Sequence, residues 1–123
     1  MEIKNLKIYN EENTINIKVK ICNSFLERFK GLMLKNKIEY PLLFIIPKHY
    51  IVKAKIHSFF MRIPIDIIFI DDEDIIFETC SLRPWSFYTP IKESKYIIEL
   101  EYKFINKNNI KIGSKITISN LNK

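Results

Sequence analysis

Glycine is scarce in this chain: Gly31 and Gly113 are the only two among 123 residues. Loops that cradle phosphates through backbone amides need several glycines close together, so chemistry of that kind is excluded. Cysteine is equally sparse. Cys22 and Cys80 stand far apart, and neither they nor His49 and His57 show the short C-x-x-C or H-x-x-x-H spacing of a metal site. No metal and no cofactor are expected, and the cysteines read as core thiols of a reducing compartment. No glycine-rich elbow accompanies either one, so a cysteine nucleophile has no support. Long apolar runs are missing as well. The longest, residues 63–70, is interrupted by Pro64 and Asp66 and is far too short to span a membrane. The first residues are polar and alternate, without the apolar segment of a signal peptide. The expectation is a soluble, cytoplasmic protein with no membrane partner.

What is present points to one packed domain over residues 1–123. Hydrophobic residues at 47% exclude a disordered chain, and this length is enough to bury a core without staples. Isoleucine dominates the apolar set, and its β-branch favours strands over helices. The net charge of +6 is uneven. Residues 1–62 hold 12 Lys/Arg against 5 Asp/Glu, whereas residues 63–123 hold 8 against 9. Lys18, Lys20, Lys53 and Lys55 read as the solvent-facing teeth of amphipathic strands. Nucleic-acid binding through this basic half is an alternative that needs them on one continuous face. Without Arg-aromatic repeats it is not the favoured reading.

Period-two alternation carries most of the local signal. Ile15, Ile17, Val19 and Ile21 alternate with polar residues, and Glu11-Glu12-Asn13 before them reads as a turn from a first strand over residues 3–9. Ser24-Phe25-Leu26-Glu27 has the spacing of a capping box and predicts a short helix ending near residues 31–35. Strands are predicted at 42–46, 52–56, 65–70, 75–79, 96–100 and 115–118, with a helical turn at 102–107. Asp71-Asp72-Glu73-Asp74 forms an acidic hairpin turn that keeps two sticky strands apart from other chains. Together these give a mainly β fold, a compact single-domain β-sandwich or barrel-like structure with one or two short helices.

The polar residues inside apolar segments are the candidates for function. A carboxylate among isoleucines needs a built-in partner, so Asp66 is expected to pair with Arg62 or Arg28 or to accept from backbone amides in a turn after Pro64. His57 shares strand parity with Phe59 and Met61. Pro84 and Pro90 stiffen a loop carrying Arg83, Trp85, Phe87 and Tyr88, whose rings offer stacking faces with polar tips. A plug closing one end of the fold is the competing role for that loop.

Three segments resemble the DUF192 family of small proteins. Glu27-Arg28 with Gly31-Leu32-Met33 is similar to its E-R-x-x-G-L-M helix. Residues 59–71, from Phe59 to Asp71, resemble its aromatic-Met-basic-x-x-Pro-x-Asp strand. Tyr96-Ile97-Ile98-Glu99-Leu100 and Ile110-Lys111-Ile112-Gly113-Ser114 resemble its closing Y-V-L-E-L and I-K-x-G-D elements. The resemblance runs from about residue 23 to residue 118 and implies a single, mainly β, sandwich-like domain without assigning a reaction, ligand or cofactor. Pro41-Leu42-Leu43-Phe44 departs from the family's G-M-L-F, and Ser114 stands where aspartate is common.

The leading reading is a non-enzymatic β-module that binds a small polar or ring-bearing ligand or a protein partner. Its site would draw on His57, Phe59, Arg62, Asp66, Arg83, Trp85 and Tyr88, with no catalytic residue. A small hydrolase or isomerase using His57 and Asp66 is the other alternative and needs both in one cleft.

Overall fold

Residues that alternate in the sequence do so across a sheet. In the computed structural model, which describes residues 2–22, 40–46, 56–57 and 62–120, β1 (Ile3–Tyr9) and β2 (Thr14–Cys22) pair antiparallel from Ile3 opposite Lys20 to Tyr9 opposite Thr14. Their turn is held by Asn10, whose Oδ1 accepts from the amides of Glu12 at 2.8 Å and Asn13 at 2.9 Å. Ile8 and Leu6 face the core, while Lys7 between them is exposed. The helix expected from Ser24 and the strand expected from residue 52 fall outside the described residues, except for the two residues of β4 (Ile56–His57).

The remaining strands are β3 (Leu42–Ile45), β5 (Ile65–Ile70), β6 (Ile76–Leu82), β7 (Phe87–Tyr88), β8 (Tyr96–Glu101) and β9 (Lys115–Asn120). Of the nine strands among the described residues, seven form one mixed sheet in the order β6-β5-β8-β3-β2-β1-β9, and β4 pairs with β7 in a separate ribbon. β3 runs parallel to β2, with Leu43 opposite Ile21. The sheet therefore is not an up-and-down succession of hairpins. The acidic turn sits where the sequence places it: Asp71 Oδ1 accepts from the amides of Glu73 at 2.9 Å and Ile75 at 3.1 Å.

The two ends of the sheet meet at one point. Ile75 bridges Lys115, and three backbone bonds surround the bridge: Ile76 N to Ser114 O at 2.9 Å, Gly113 N to Ile76 O at 2.8 Å and Ile116 N to Asp74 O at 2.9 Å. Gly113 adopts φ 96° there, a conformation that a side chain would strain. The sheet is thus bent towards closure, which accounts for its barrel-like character. Leu6 and Ile8 of β1, Ile21 of β2 and Ile116 of β9 share one buried cluster with Ile68, Ile70, Ile76 and Ile98 from the far strands. A second cluster, with Phe44, Ile65, Ile67, Phe69 and Ile97, occupies the outer face of β3, β5 and β8. All six residues of β5 are buried, because it has packed side chains on both faces. Each fully enclosed isoleucine contributes about 2 kcal/mol relative to exposure.

Asp66 is the one acid of β5, and it is 1% exposed on the inner side, on the same face as Ile68 and opposite Leu100. Its partners among the described residues are neutral donors, one of them a backbone amide as expected, though not from a turn after Pro64. Ser81 Oγ on β6 donates to Oδ1 at 2.8 Å, and the backbone amide of Ile105 donates to Oδ2 at 3.0 Å. Ile105 belongs to the short helix α1 (Phe104–Lys107), which packs Phe104 and Ile105 against the inner cluster. The carboxylate thus fastens a helical turn to two strands. Arg62 is exposed ahead of β5, and Arg28 falls outside the described residues.

Replacing Asp66 with alanine leaves the Ser81 hydroxyl and the Ile105 amide without their acceptor. Asp66→Ala is expected to lower the unfolding free energy by about 3 kcal/mol, and Asp66→Asn, which keeps one carbonyl oxygen, by less. Urea melts of the two variants beside the parent measure this, and a parent-like melt of Asp66→Ala would contradict the role.

Candidate functional site

After β6 the chain turns through Arg83, Pro84, Trp85 and Ser86 before β7 pairs with β4. Ile56 lies opposite Tyr88 and His57 opposite Phe87. The backbone of His57 and the aromatic segment are therefore neighbours, which the sequence placed about thirty residues apart. Part of the stretch read as a loop is in fact a two-residue strand.

Tyr88 anchors this segment to the outer face of the sheet. Its ring stacks on Phe69 with centroids 5.8 Å apart at 26°. Its hydroxyl donates to Glu78 Oε2, and the other oxygen of Glu78 accepts from the amide of Ile91 at 2.8 Å. Glu78 thus holds the end of the segment at two points. The hydrogen bond to that carboxylate, with burial second, pushes the Tyr88 phenol up to about 12, so it stays a donor at physiological pH. Burial, reinforced by the charges of Glu78 and Asp66, likewise pushes the Cys80 thiol up to about 12. A thiol held protonated in this way is no nucleophile near neutral pH. No disulfide joins Cys22 and Cys80. Among the described residues no three His, Cys, Asp or Glu side chains converge as a metal site.

Around that anchor the rings turn outward. Trp85 is 60% exposed and Phe87 66% exposed. Trp85 also adopts φ 60°, a left-handed conformation that is rare for a bulky side chain and costs on the order of 1 kcal/mol. Tyr88, Trp85 and the backbone of His57 are brought into one segment, with exposed Arg83 adjoining it in the chain. Asp66 is not part of it: it lies on the inner side of β5, opposite the face on which Phe69 meets Tyr88. Phe59 lies outside the described residues. A separate cleft of about 650 Å³ opens between the β1–β2 turn and residues 111–115, and none of the expected site residues lines it.

The sequence reading passed over Glu99, which is 8% exposed on β8. It sits between Leu42 of β3 and Ile67 of β5, and Cys80 lies beyond Ile67 in the same row. Burial alone pushes its carboxyl up to about 7. The signal was present in Ile97-Ile98-Glu99-Leu100, an acid inside an apolar strand, as Asp66 is inside Ile65-Asp66-Ile67.

The geometry defines a small, mainly β domain with one bent mixed sheet and an aromatic segment tied to its outer face. The chain belongs to the DUF192 family (Uncharacterized ACR), which it matches over residues 7–118. A UPF0127 protein of Thermococcus sibiricus is 42% identical over 80% of this chain and 64% of its own length. A UPF0127 protein of Pyrococcus furiosus is 34% identical over 83% of this chain and 87% of its own. Among solved structures, a proposed transcription regulator of Sinorhizobium meliloti 1021 superposes with a TM-score of 0.85, covering 94% of this chain and 93% of that one at 16% identity. A protein of Novosphingobium aromaticivorans superposes at 0.82, covering 94% and 84% at 18% identity. At such identities these two likenesses establish the fold.

The buried acid sets a pH dependence. Glu99 ionises near 4.5 in an unfolded chain and near 7 in the fold, so the native state holds a proton that the unfolded state has lost. The associated stability is complete below about 4.5 and is lost as pH rises to about 7, on the order of 3 kcal/mol in all. Glu99→Gln, which is neutral throughout, is expected to gain on the parent progressively across that window. Urea melts from pH 4.5 to 7.5 measure the difference, and a constant gap between the two proteins would refute it.

Proposed function

We propose that this protein is a non-enzymatic binding module, cytoplasmic in location, whose aromatic segment takes a small ring-bearing ligand such as a sugar or a nucleobase. The observation that carries the reading is Trp85, held in a strained backbone conformation while 60% of it faces solvent. A tryptophan serving only as a plug would relax that backbone and enclose the ring. Here the strain is supported by the Glu78 clamp on Tyr88 and Ile91, which fixes the chain at two points just after Phe87. Arg83, exposed in the same turn, supplies a cation for the polar edge of such a ligand. A reducing compartment fits two cysteines that are not joined.

Trp85 is the sole tryptophan, so its fluorescence reports on this segment alone. Iodide is expected to quench it readily, and a panel of sugars and nucleosides to contain at least one compound that shifts its emission. Tyr88→Phe, which removes the bond to Glu78 and keeps the ring, should weaken that response by about tenfold, the equivalent of one hydrogen bond to a charged group. Silence across the whole panel would remove the reading.

A further inference from the structure

The outer face of the sheet has a second half, formed by β2, β1 and β9, that the aromatic segment does not touch. Because Val19, Ile8 and Ile116 point inward, the alternate residues point out. On β2 these are Thr14, Asn16, Lys18 and Lys20; on β1, Ile3, Asn5, Lys7 and Tyr9; on β9, Lys115, Thr117 and Ser119. No acid occurs among them. The register pairs Asn5 with Lys18 and with Ser119, Lys7 with Asn16 and with Thr117, and Tyr9 with Thr14 and with Lys115.

Lys20, Lys18, Lys7 and Lys115 consequently descend in one diagonal across the three strands. Neighbours in that line are about 7 Å apart along a strand and about 8 Å apart between strands. Lys7, Lys18 and Lys115 are exposed, and Lys20 is half-buried. The diagonal ends at Tyr9, over which Lys7 Nζ stands 5.6 Å from the ring centroid. Tyr9 and Lys115 are also walls of the 650 Å³ cleft, together with Lys111 and Ile112. Asp74 is beside Lys115, its carbonyl oxygen accepting from Ile116 N at 2.9 Å, but its carboxylate is engaged with Lys95 at 2.9 Å; Glu11 and Glu12 also line this end, and Glu12 is engaged with Lys111 at 3.5 Å. At the other end Glu99 is two strands from Lys20, beyond Leu42.

We infer that this face binds single-stranded nucleic acid, with successive phosphates on the lysine diagonal and one unstacked base against Tyr9 in the cleft. A row of cations without interspersed carboxylates complements a polyanion rather than a single anion. Among the described residues the face is open sheet with no helix to enter a groove, so it presents charge and a ring to an extended strand, as sheet-based single-strand binders do. Asn5 and Asn16 flank the line with amides that hydrogen-bond either phosphate or base edges. This surface is separate from the aromatic segment, and its test does not depend on that one.

Binding of a fluorescein-labelled 15-nucleotide single strand to the full chain, followed by anisotropy, tests the inference. Four neutralised phosphates predict an affinity that falls about 50-fold between about 50 and about 200 mM salt. The exposed pair Lys7→Gln/Lys18→Gln should weaken binding about tenfold or more at the lower salt and reduce the log–log salt slope by about 1.4. Lys103→Gln/Lys107→Gln, which removes two charges at and beside α1, should bind as the parent does. Tyr9→Leu should weaken binding with the salt slope unchanged. No binding at low salt, or parent-like binding by the double lysine variant with an unaltered melt, overturns the inference. Equal affinity for a duplex of the same length, or loss of binding in Lys103→Gln/Lys107→Gln, overturns it as well, by assigning the contact to another partner geometry or to another surface.

Discussion

The bend that brings β6 back to β9 is the constraint on which the other features depend. A flat seven-stranded sheet would leave both faces of β1, β2 and β9 to find partners, and this chain of 123 residues has little else to offer them. Bending lets the inner residues of those strands pack on β5, β6 and β8, so a single sheet supplies both walls of its own core. The junction is narrow. It consists of one bridge and three backbone bonds, and one of them comes from Gly113 in a conformation that side chains disfavour. A scarce residue is thus spent where the backbone requires it. Ser114, next to it, is 1% exposed and accepts from Asn10 Nδ2 at 3.0 Å, tying the β1–β2 turn to the same corner. The family's usual aspartate at that position would be another acceptor for the same amide; the serine performs the task without a charge.

Two carboxyl groups enter the sheet interior, and they are accommodated in opposite ways. Asp66 receives a hydroxyl and a backbone amide, one to each oxygen, and so can remain an acceptor in an apolar setting. Glu99, on the other face, is met mainly by apolar neighbours in its row, and burial raises its proton affinity. The difference follows from what each face lies against. α1 brings the first turn of a helix, with its unbonded amides, to Asp66. Leu42 and Ile67 bring only methyl groups to Glu99.

Local alternation was legible because each strand's wet and dry positions are two residues apart, and the hairpins around Asn10 and Asp71 need no distant information. The acidity of Asp66 inside Ile65-Asp66-Ile67 likewise announced a paired group. Its partners did not announce themselves: Ser81 is 15 residues away and Ile105 is 39. Of the partners the sequence offered, a backbone amide is the one found among the described residues, and neutral donors avoid burying a second charge. The parallel pairing of β2 with β3 was equally hidden, since no turn connects them directly. The lysine line escaped for the same reason. Lys18 and Lys20 were visible as teeth of one strand, but Lys7 and Lys115 join them only through the pairing of β1 with the end of the chain, where Lys7 meets Thr117.

Protection of an edge strand explains some surface lysines, since a charge on an unpaired edge discourages association with another sheet. That account covers Lys115, which is on β9. It does not cover Lys7 or Lys20, each of which lies opposite paired residues on both sides, whereas Lys18 pairs with Asn5 alone among the described residues. Solubility alone does not account for the pattern either, since acids serve it as well as lysines and the outward positions of these strands hold none. Elsewhere on the described surface charges of both signs are close together, as Lys92 with Asp71 and Lys95 with Asp74 show. The segregation is therefore confined to the half of the outer face that the aromatic segment leaves bare. A bent sheet produces such a division naturally: its inner face is consumed by the core, and its outer face is free to carry a hydrophobic covering at one end and a uniform charge at the other.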